Sequence, residues 1–229
     1  MYFSVIEPAA GRERAAAHDW NAGAYQQHQW LWRFLPAPRG APRNFVFRRH
    51  DGTDLPRFYV VSEAQPTSPT PNWMARSKSY APDLAVGDEL EFELRANPVI
   101  TTRGADGRSH RHDVVMQAKK RLLAERNLAR WAQWLDPERP ALPDLVRRAG
   151  SAWLLARAEK LGVDIDEDGL RVEAYNQHRG KSDELRFSTI DFRGRLRVVD
   201  PAALGRALTN GVGHGKAFGC GLLLVRPLG

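Results

Sequence analysis

Five glycines fall within the eleven residues from Gly211 to Gly221, in the stretch NGVGHGKAFGCG, and the apolar run LLLV follows at once. Before it stands PAALGRALTN, a short helix pattern with Asp200 as N-cap and Pro201 at the first helical position. The segment therefore leads from a helix into a strand, and that direction limits what it can be. A phosphate-binding P-loop, G-x-x-x-x-G-K-[ST], leads from a strand into a helix. Here Asn210 replaces its first glycine and Ala217 its metal-holding hydroxyl residue. The dinucleotide fingerprint G-x-G-x-x-G has no match in the segment, so no nucleotide cofactor is expected. Gly211 suffices to end the helix. Gly213, Gly215, Gly219 and Gly221 let backbone N–H groups approach another backbone and form an anion-binding concavity, to which His214 and Lys216 add donors and charge. Such a loop suits a phosphodiester strand.

Charge agrees. Lys and Arg number 34 against 27 acids, a formal net charge of +7, which favours a polyanionic partner. Seven tryptophans within a 42% hydrophobic chain of 229 residues supply a core large enough for two compact units. The single cysteine, Cys220, excludes internal disulfides and cysteine-based zinc sites and fits a reducing, cytoplasmic compartment. MYFSVIEPAAG lacks a basic leader, and no apolar run approaches the ~20 residues of a membrane span. No membrane partner is expected.

Patterning predicts an α+β chain. MYFSVIEP is an opening strand, residues 22–36 a helix with Leu31, Phe34 and Leu35 on its apolar face and Pro36 as its stop, and 43–50 with 56–63 a strand pair around HDGTD. A proline-rich loop covers 65–73, and LEFELRA alternates as a half-buried strand that closes a first βαββαβ unit over residues 1–96. The second unit, 97–229, opens with a polar loop expected to be mobile, 104–113. A long helix follows over 114–135, with Met116, Leu122, Leu123, Leu128, Trp131 and Leu135 inward and Lys119, Lys120, Arg126 and Arg130 outward. A second helix ends at Gly162. Strands over 170–178 and 184–200 meet at the turn RGKSD, and the helix, glycine segment and last strand close the chain. The expectation is two ferredoxin-like (RRM-like) βαββαβ domains in tandem.

In the first long helix, Tyr25 and His28 are three residues apart and share a face. Their chemistry matches what RNA needs to cleave itself without a metal. The 2′-hydroxyl attacks the adjacent phosphorus and expels the 5′-oxygen. One group takes a proton, another gives one, and donors hold the charged phosphorane. An imidazole serves either proton role, and a phenol orients or stabilises. Arg33 is a possible cationic support, but it lies five positions beyond His28, about 140° around an ideal helix, and reaches the same site only if the helix unwinds.

Three stretches, AYQQHQWLWRFL, FELRANPVITTR and GVGHGKAFGCGLLLV, occur in that order, and through them nearly the whole chain resembles the CasE-type CRISPR RNA-processing endoribonucleases of type I-E systems. The resemblance implies tandem ferredoxin-like domains and metal-independent cleavage at the 3′ base of a CRISPR repeat hairpin, leaving a 2′,3′-cyclic phosphate. It also implies retention of the guide RNA within a Cascade complex. It maps catalytic roles onto Tyr25 and His28, a supporting cation onto Arg33, and an RNA-facing glycine-rich loop onto Gly211, Gly213, Gly215, Gly219 and Gly221. It implies RNA and the other Cascade subunits as partners, and no cofactor. A non-catalytic RNA-binding subunit of such a particle is the alternative; the presence of both Tyr25 and His28 argues against it.

Lys119, Lys120, Arg126 and Arg130 on the basic helix, Arg179 and Lys181 at the hairpin tip, and Arg103 after NPVITT are candidate RNA contacts. An A-form stem is held mainly through shape and phosphates. HRHD offers His110, His112 and Asp113 to a metal, but no other cluster stands near it in sequence, and no metal site is expected.

Overall fold

The computed structural model describes residues 1–20, 29–36, 40, 42–50, 56–104, 107–135, 137–179 and 186–228. The first sheet is built from β1 (Tyr2–Pro8), β2 (Phe45–His50), β3 (Arg57–Ser62) and β4 (Trp73–Ser79). Their order is β2-β3-β1-β4, with every pair antiparallel. One face presents Ile6, Phe45, Phe47, Phe58, Val60 and Trp73, and Ala16 of α1 (Glu13–Asp19) packs there with Trp30, Leu31 and Phe34. Residues 29–31 are helical and tighten into a 3-10 turn at Trp32–Phe34, with Leu31, Phe34 and Leu35 buried as their spacing predicts.

The closing strand of this sheet differs from the expectation. Residues 63–72 carry no helix or strand and lead into β4, which pairs with β1 from Pro8↔Trp73 to Tyr2↔Ser79. The strand containing LEFELRA, β5 (Glu89–Ala96), belongs instead to the second sheet, between β11 (Leu223–Pro227) and β10 (Arg186–Val198). The boundary expected at 96/97 therefore falls inside the second unit, and the chain passes from one sheet to the other over 80–88. Charge selects the partner of β5. Glu89, Glu91, Glu93 and Arg95 stand in register with Arg197, Arg195, Arg193 and Asp191, opposite signs at each step. Arg95 and Asp191 close the ladder with two hydrogen bonds of 2.7 Å.

The second sheet runs β11-β5-β10-β8, with β8 (Val163–Ile165) and β9 (Arg171–Arg179) pairing along different stretches of β10. Counting β5 as its first strand, both sheets have the order fourth-first-third-second, the arrangement of a βαββαβ unit. Strand β8 lay unrecognised within the residues expected to connect helix and sheet. A hairpin, β6 (Val99–Arg103) and β7 (Ser109–Asp113), and a helix, α2 (Val114–Glu125), are inserted after β5. Residues 109–113, expected in a polar loop, thus form a strand.

Helix α3 (Leu142–Leu155), the short α4 (Ala158–Leu161) and α5 (Pro201–Asn210) cover the second sheet. Leu145, Trp153, Leu154, Leu204 and Leu208 bury Phe92, Leu94, Ile190 and Phe192, each such side chain contributing about 1.5–3 kcal/mol. Gly162 ends α4 in the left-handed region, φ 71°. The helix expected over 114–135 stops at Glu125. Asn127 turns left-handed at φ 56°, and the N–H groups of Asn127 and Leu128 close back onto the carbonyls of Ala124 and Leu123 at 3.1 and 2.9 Å, a cap that satisfies the helix end. Trp131 consequently lies in a separate 3-10 turn. Met116 and Leu135, expected inward, are 46% and 88% exposed.

The two sheets meet through Val46, Val61 and Leu222, with Phe3, Tyr59 and Leu224 around them. Arg48, 6% exposed, reaches across from β2 to Glu93 of β5, its Nη1 3.3 Å from Oε2. The glycine segment lies against the same seam. Gly221 donates its N–H to Arg95 O at 2.7 Å and accepts from Val212 N at 2.8 Å. A Cβ on Gly221 would sit 2.6 Å from Val212 O, at a φ of +91°. Gly221→Ala is therefore expected to cost about 2 kcal/mol or more, a fall of roughly 4–8 °C in Tm. Gly205→Ala within α5, where a Cβ meets nothing within 4 Å, gains up to about 1 kcal/mol from helix propensity. Paired thermal melts check the contrast.

Candidate nucleic-acid interface

All five glycines from Gly211 to Gly221 have positive φ, and each packs against protein. A Cβ would come within 3.0 Å of Val46 at Gly211, 3.3 Å of Trp153 at Gly213, 3.0 Å of Asn97 at Gly215 and 3.2 Å of Phe47 at Gly219. The N–H groups of Val212, Phe218, Cys220 and Gly221 bond to carbonyls of the protein. The close approach that these glycines permit is thus realised within the protein, against the first sheet at Gly211 and Gly219 and inside the second unit at Gly213 and Gly215. Lys216 Nζ donates to Asn210 O at 2.6 Å and neutralises the carbonyl end of α5. Burial, with Arg43 nearby, lowers its pKa from the ordinary lysine value. His214 is exposed and bridges Asn97. Burial first, then Arg111, Arg157 and Lys216, hold its pKa low. That grouping is cationic, and sequence spacing does not reveal it. Burial pushes the Cys220 thiol up to about 12, which leaves it inert as a nucleophile.

A second cationic feature is a groove of about 650 Å³ between β7, α2 and the 129–131 segment, lined by Arg111, Lys119, Lys120, Arg130 and Trp131. Three of the four helix cations named from the sequence converge there. Lys119 Nζ lies 5.3 Å from the centroid of Trp131, a cation–π contact that keeps its head at the groove. Arg126 turns away, stacked 4.2 Å over Trp134 and bonded to Glu138 at 3.0 Å. The structure leaves Arg103 exposed at the end of β6, and Arg179 exposed on β9 opposite Arg186. Arg33 is exposed on a turn that tightens into 3-10 helix rather than unwinding. Tyr25, His28 and Lys181 lie outside the described residues.

HRHD forms strand β7. His110 and His112 have ring centroids 6.4 Å apart, and Asp113 caps α2 through Met116 N at 2.7 Å. Among the described residues no three His, Cys, Asp or Glu side chains gather as metal ligands. His178, Phe187 and Phe218 stack in sequence at 4.6 Å each, joining β9 and β10 to the glycine segment. Sequence reading overlooked Arg111, and it overlooked this stack because its members are spread over three elements between His178 and Phe218.

A two-sheet protein with cationic surfaces fits several families, and comparison with known proteins separates them. A family model described as CRISPR associated protein matches residues 1–227. The chain is 31% identical to the CRISPR system Cascade subunit CasE of Escherichia coli K12 over 93% of this chain and 96% of that one. The chain belongs to the CasE-type CRISPR-associated family. The CRISPR-associated endoribonuclease Cse3 of Thermus thermophilus is 30% identical, with 97% of each chain covered. Solved structures agree in fold. Cse3 bound to a 19-nucleotide RNA gives a TM-score of 0.68 at 24% identity, covering 99% of this chain and 98% of that one. Cas6e from E. coli K-12 gives 0.62 at 24% identity, covering both chains completely. The tandem ferredoxin-like architecture is that of the CasE-type fold.

In this CasE-type chain the histidine stack titrates with folding. Burial chiefly, then Arg95, lowers the His178 pKa from the usual 6.5, and its Nε2 lies 3.0 Å from Thr189 Oγ1. The unfolded chain takes up this proton at a higher pH than the folded chain. The contribution to stability is thus present above about pH 6.5 and is lost as pH falls through the lowered value. Thermal melts between about pH 7.5 and 5.5 are expected to show a falling Tm, and His178→Phe to flatten that fall.

Proposed function

We propose that this protein is a metal-independent endoribonuclease that cuts CRISPR repeat hairpins in precursor RNA and keeps the guide RNA within a Cascade-type complex. The observation that carries the reading is the 31% identity to a Cascade subunit, sustained over 93% of the chain. A second relative is named an endoribonuclease. The cationic groove and the His214 region supply what a phosphate backbone requires. The family match supports a cytoplasmic setting. Among the described residues no helix is long and apolar enough to cross a membrane.

Tyr25 and His28 are the proposed catalytic pair. Trp30, Leu31 and Phe34, which follow them in sequence, are packed in the first core. In the proposed step, the 2′-oxygen loses its proton to a base and bonds to the adjacent phosphorus. The 5′-oxygen departs with a proton from an acid. The products are a 2′,3′-cyclic phosphate and a 5′-hydroxyl. His28 serves one proton transfer, Tyr25 orients or stabilises, and Arg33 is a further cation on the same segment. Lys119, Lys120, Arg130, Arg179, Lys181 and Arg103 are proposed phosphate contacts. Arg126, held by Trp134 and Glu138, is the weakest of the set named from the sequence.

Incubation with a repeat-hairpin RNA in excess EDTA is expected to give a cyclic-phosphate end, and a 2′-deoxy substitution before the cut to block it. His28→Ala is expected to lower cleavage by at least about a hundredfold while hairpin affinity stays within a few-fold. Binding without cleavage by the wild type would instead identify a non-catalytic RNA-holding subunit. Affinity is expected to fall steeply with salt as counterions are released, as filter binding at several ionic strengths will read; a flat response contradicts the phosphate-groove reading.

A further inference from the structure

The Asp113 carboxylate joins three separate elements. It caps the first turn of α2, with Oδ1 accepting from Met116 N at 2.7 Å. Tyr175 OH donates to the same oxygen at 3.2 Å. Ser188 Oγ donates to Oδ2, and Ser188 is only 4% exposed. Gln177 Nε2 donates to the Tyr175 oxygen at 3.0 Å, so the phenol both receives and gives. One carboxylate thereby ties the end of β7 and the start of α2 to β9 and β10.

Backbone geometry shows that this junction is built against a local preference. The β9–β10 register shifts between Thr189 and Asp191. Beside the shift, Ala174 has φ +52°, a conformation rare for a residue with a Cβ. An irregularity of this kind re-aims a side chain, and the next residue is Tyr175. A regular strand would carry its neighbours in strict alternation between the two faces of the sheet. Burial first, then the Asp113 charge, pushes the Tyr175 phenol up to about 12, which keeps it a donor at working pH.

The elements joined carry the candidate RNA-facing cations. Arg111 is on β7, Lys119 and Lys120 are on α2, and Arg179 is on β9. We infer that Tyr175 is a positioning residue: through Asp113 it locks the β9–β10 hairpin to the cationic groove, so that one RNA stem meets both in a fixed relative placement. This deepens the hairpin-RNA reading above and rests on it for its functional consequence. The mechanical part stands on the protein alone.

The test uses the full-length protein and Tyr175→Phe, which keeps the ring and removes the donor, with Ser188→Ala as a second variant. Hydrogen exchange of the free protein reads the mechanical part: faster exchange is expected in both the β7–α2 junction and the β9–β10 hairpin. Repeat-hairpin RNA reads the consequence. Dissociation constant and KM are expected to rise roughly three- to tenfold, the worth of one partly buried hydrogen bond, while kcat at saturating RNA stays within about twofold. Unchanged exchange in both segments overturns the inference whether or not the wild type cleaves RNA. Faster exchange with unaltered affinity overturns the positioning role. A fall in kcat at unaltered KM also overturns it, since that places Tyr175 at the reacting atoms. Should the wild type bind without cutting, the affinity comparison still decides, and only the nuclease reading is lost.

Discussion

The contact between backbone and backbone at Gly221 is the constraint on which the rest of the molecule depends. Its N–H meets Arg95 O on the central strand of the second sheet, and its carbonyl takes Val212 N beyond the end of α5. Gly211, next to Val212, and Gly219, two residues before Gly221, lie against Val46 and Phe47 of the first sheet. Helix end, central strand and neighbouring sheet thus converge where any side chain would intrude. The sheets can share a buried seam because glycine stands at the positions where this segment presses against them.

Specificity of strand pairing comes from a different source. The outer face of β5 and β10 is a run of matched opposite charges, while the inner face is uniformly apolar. Apolar burial alone tolerates a slip of two residues, because alternation is preserved; such a slip would bring Arg95 against Arg193. The ladder therefore adds a cost to wrong registers that the core does not impose. It also leaves this face largely neutralised.

Much of this was legible in the residues. The alternation of β1, β2, β3 and β10, the Asp200 cap with Pro201, the stop at Gly162 and the glycine connection all follow from short-range rules that tertiary packing did not override. The misassigned strand had a different cause. Period-two patterning identifies LEFELRA as a strand yet is silent on its neighbour, and WMARSKS, whose apolar residues are confined to its first positions, gives almost no pattern. The break at Asn127 escaped notice because an apolar spacing continued across it to Trp131. At the candidate site, Lys119, Lys120, Arg126 and Arg130 could be named directly as the charged positions of one apolar pattern. Arg111 could not, since only the β6–β7 pairing brings it to them, and the Asp113 junction depends on a strand irregularity that no local signal announces.

Arg48 bears on how such a protein can be divided. It is almost completely enclosed, and the carboxylate facing it belongs to the other half of the chain. Cutting the polypeptide between the sheets would part this guanidinium from Glu93 and uncover Val46 and Val61 together. Neither half is a portable module, then, and recombination between distant relatives has to carry both sides of the seam or mend the charge it orphans.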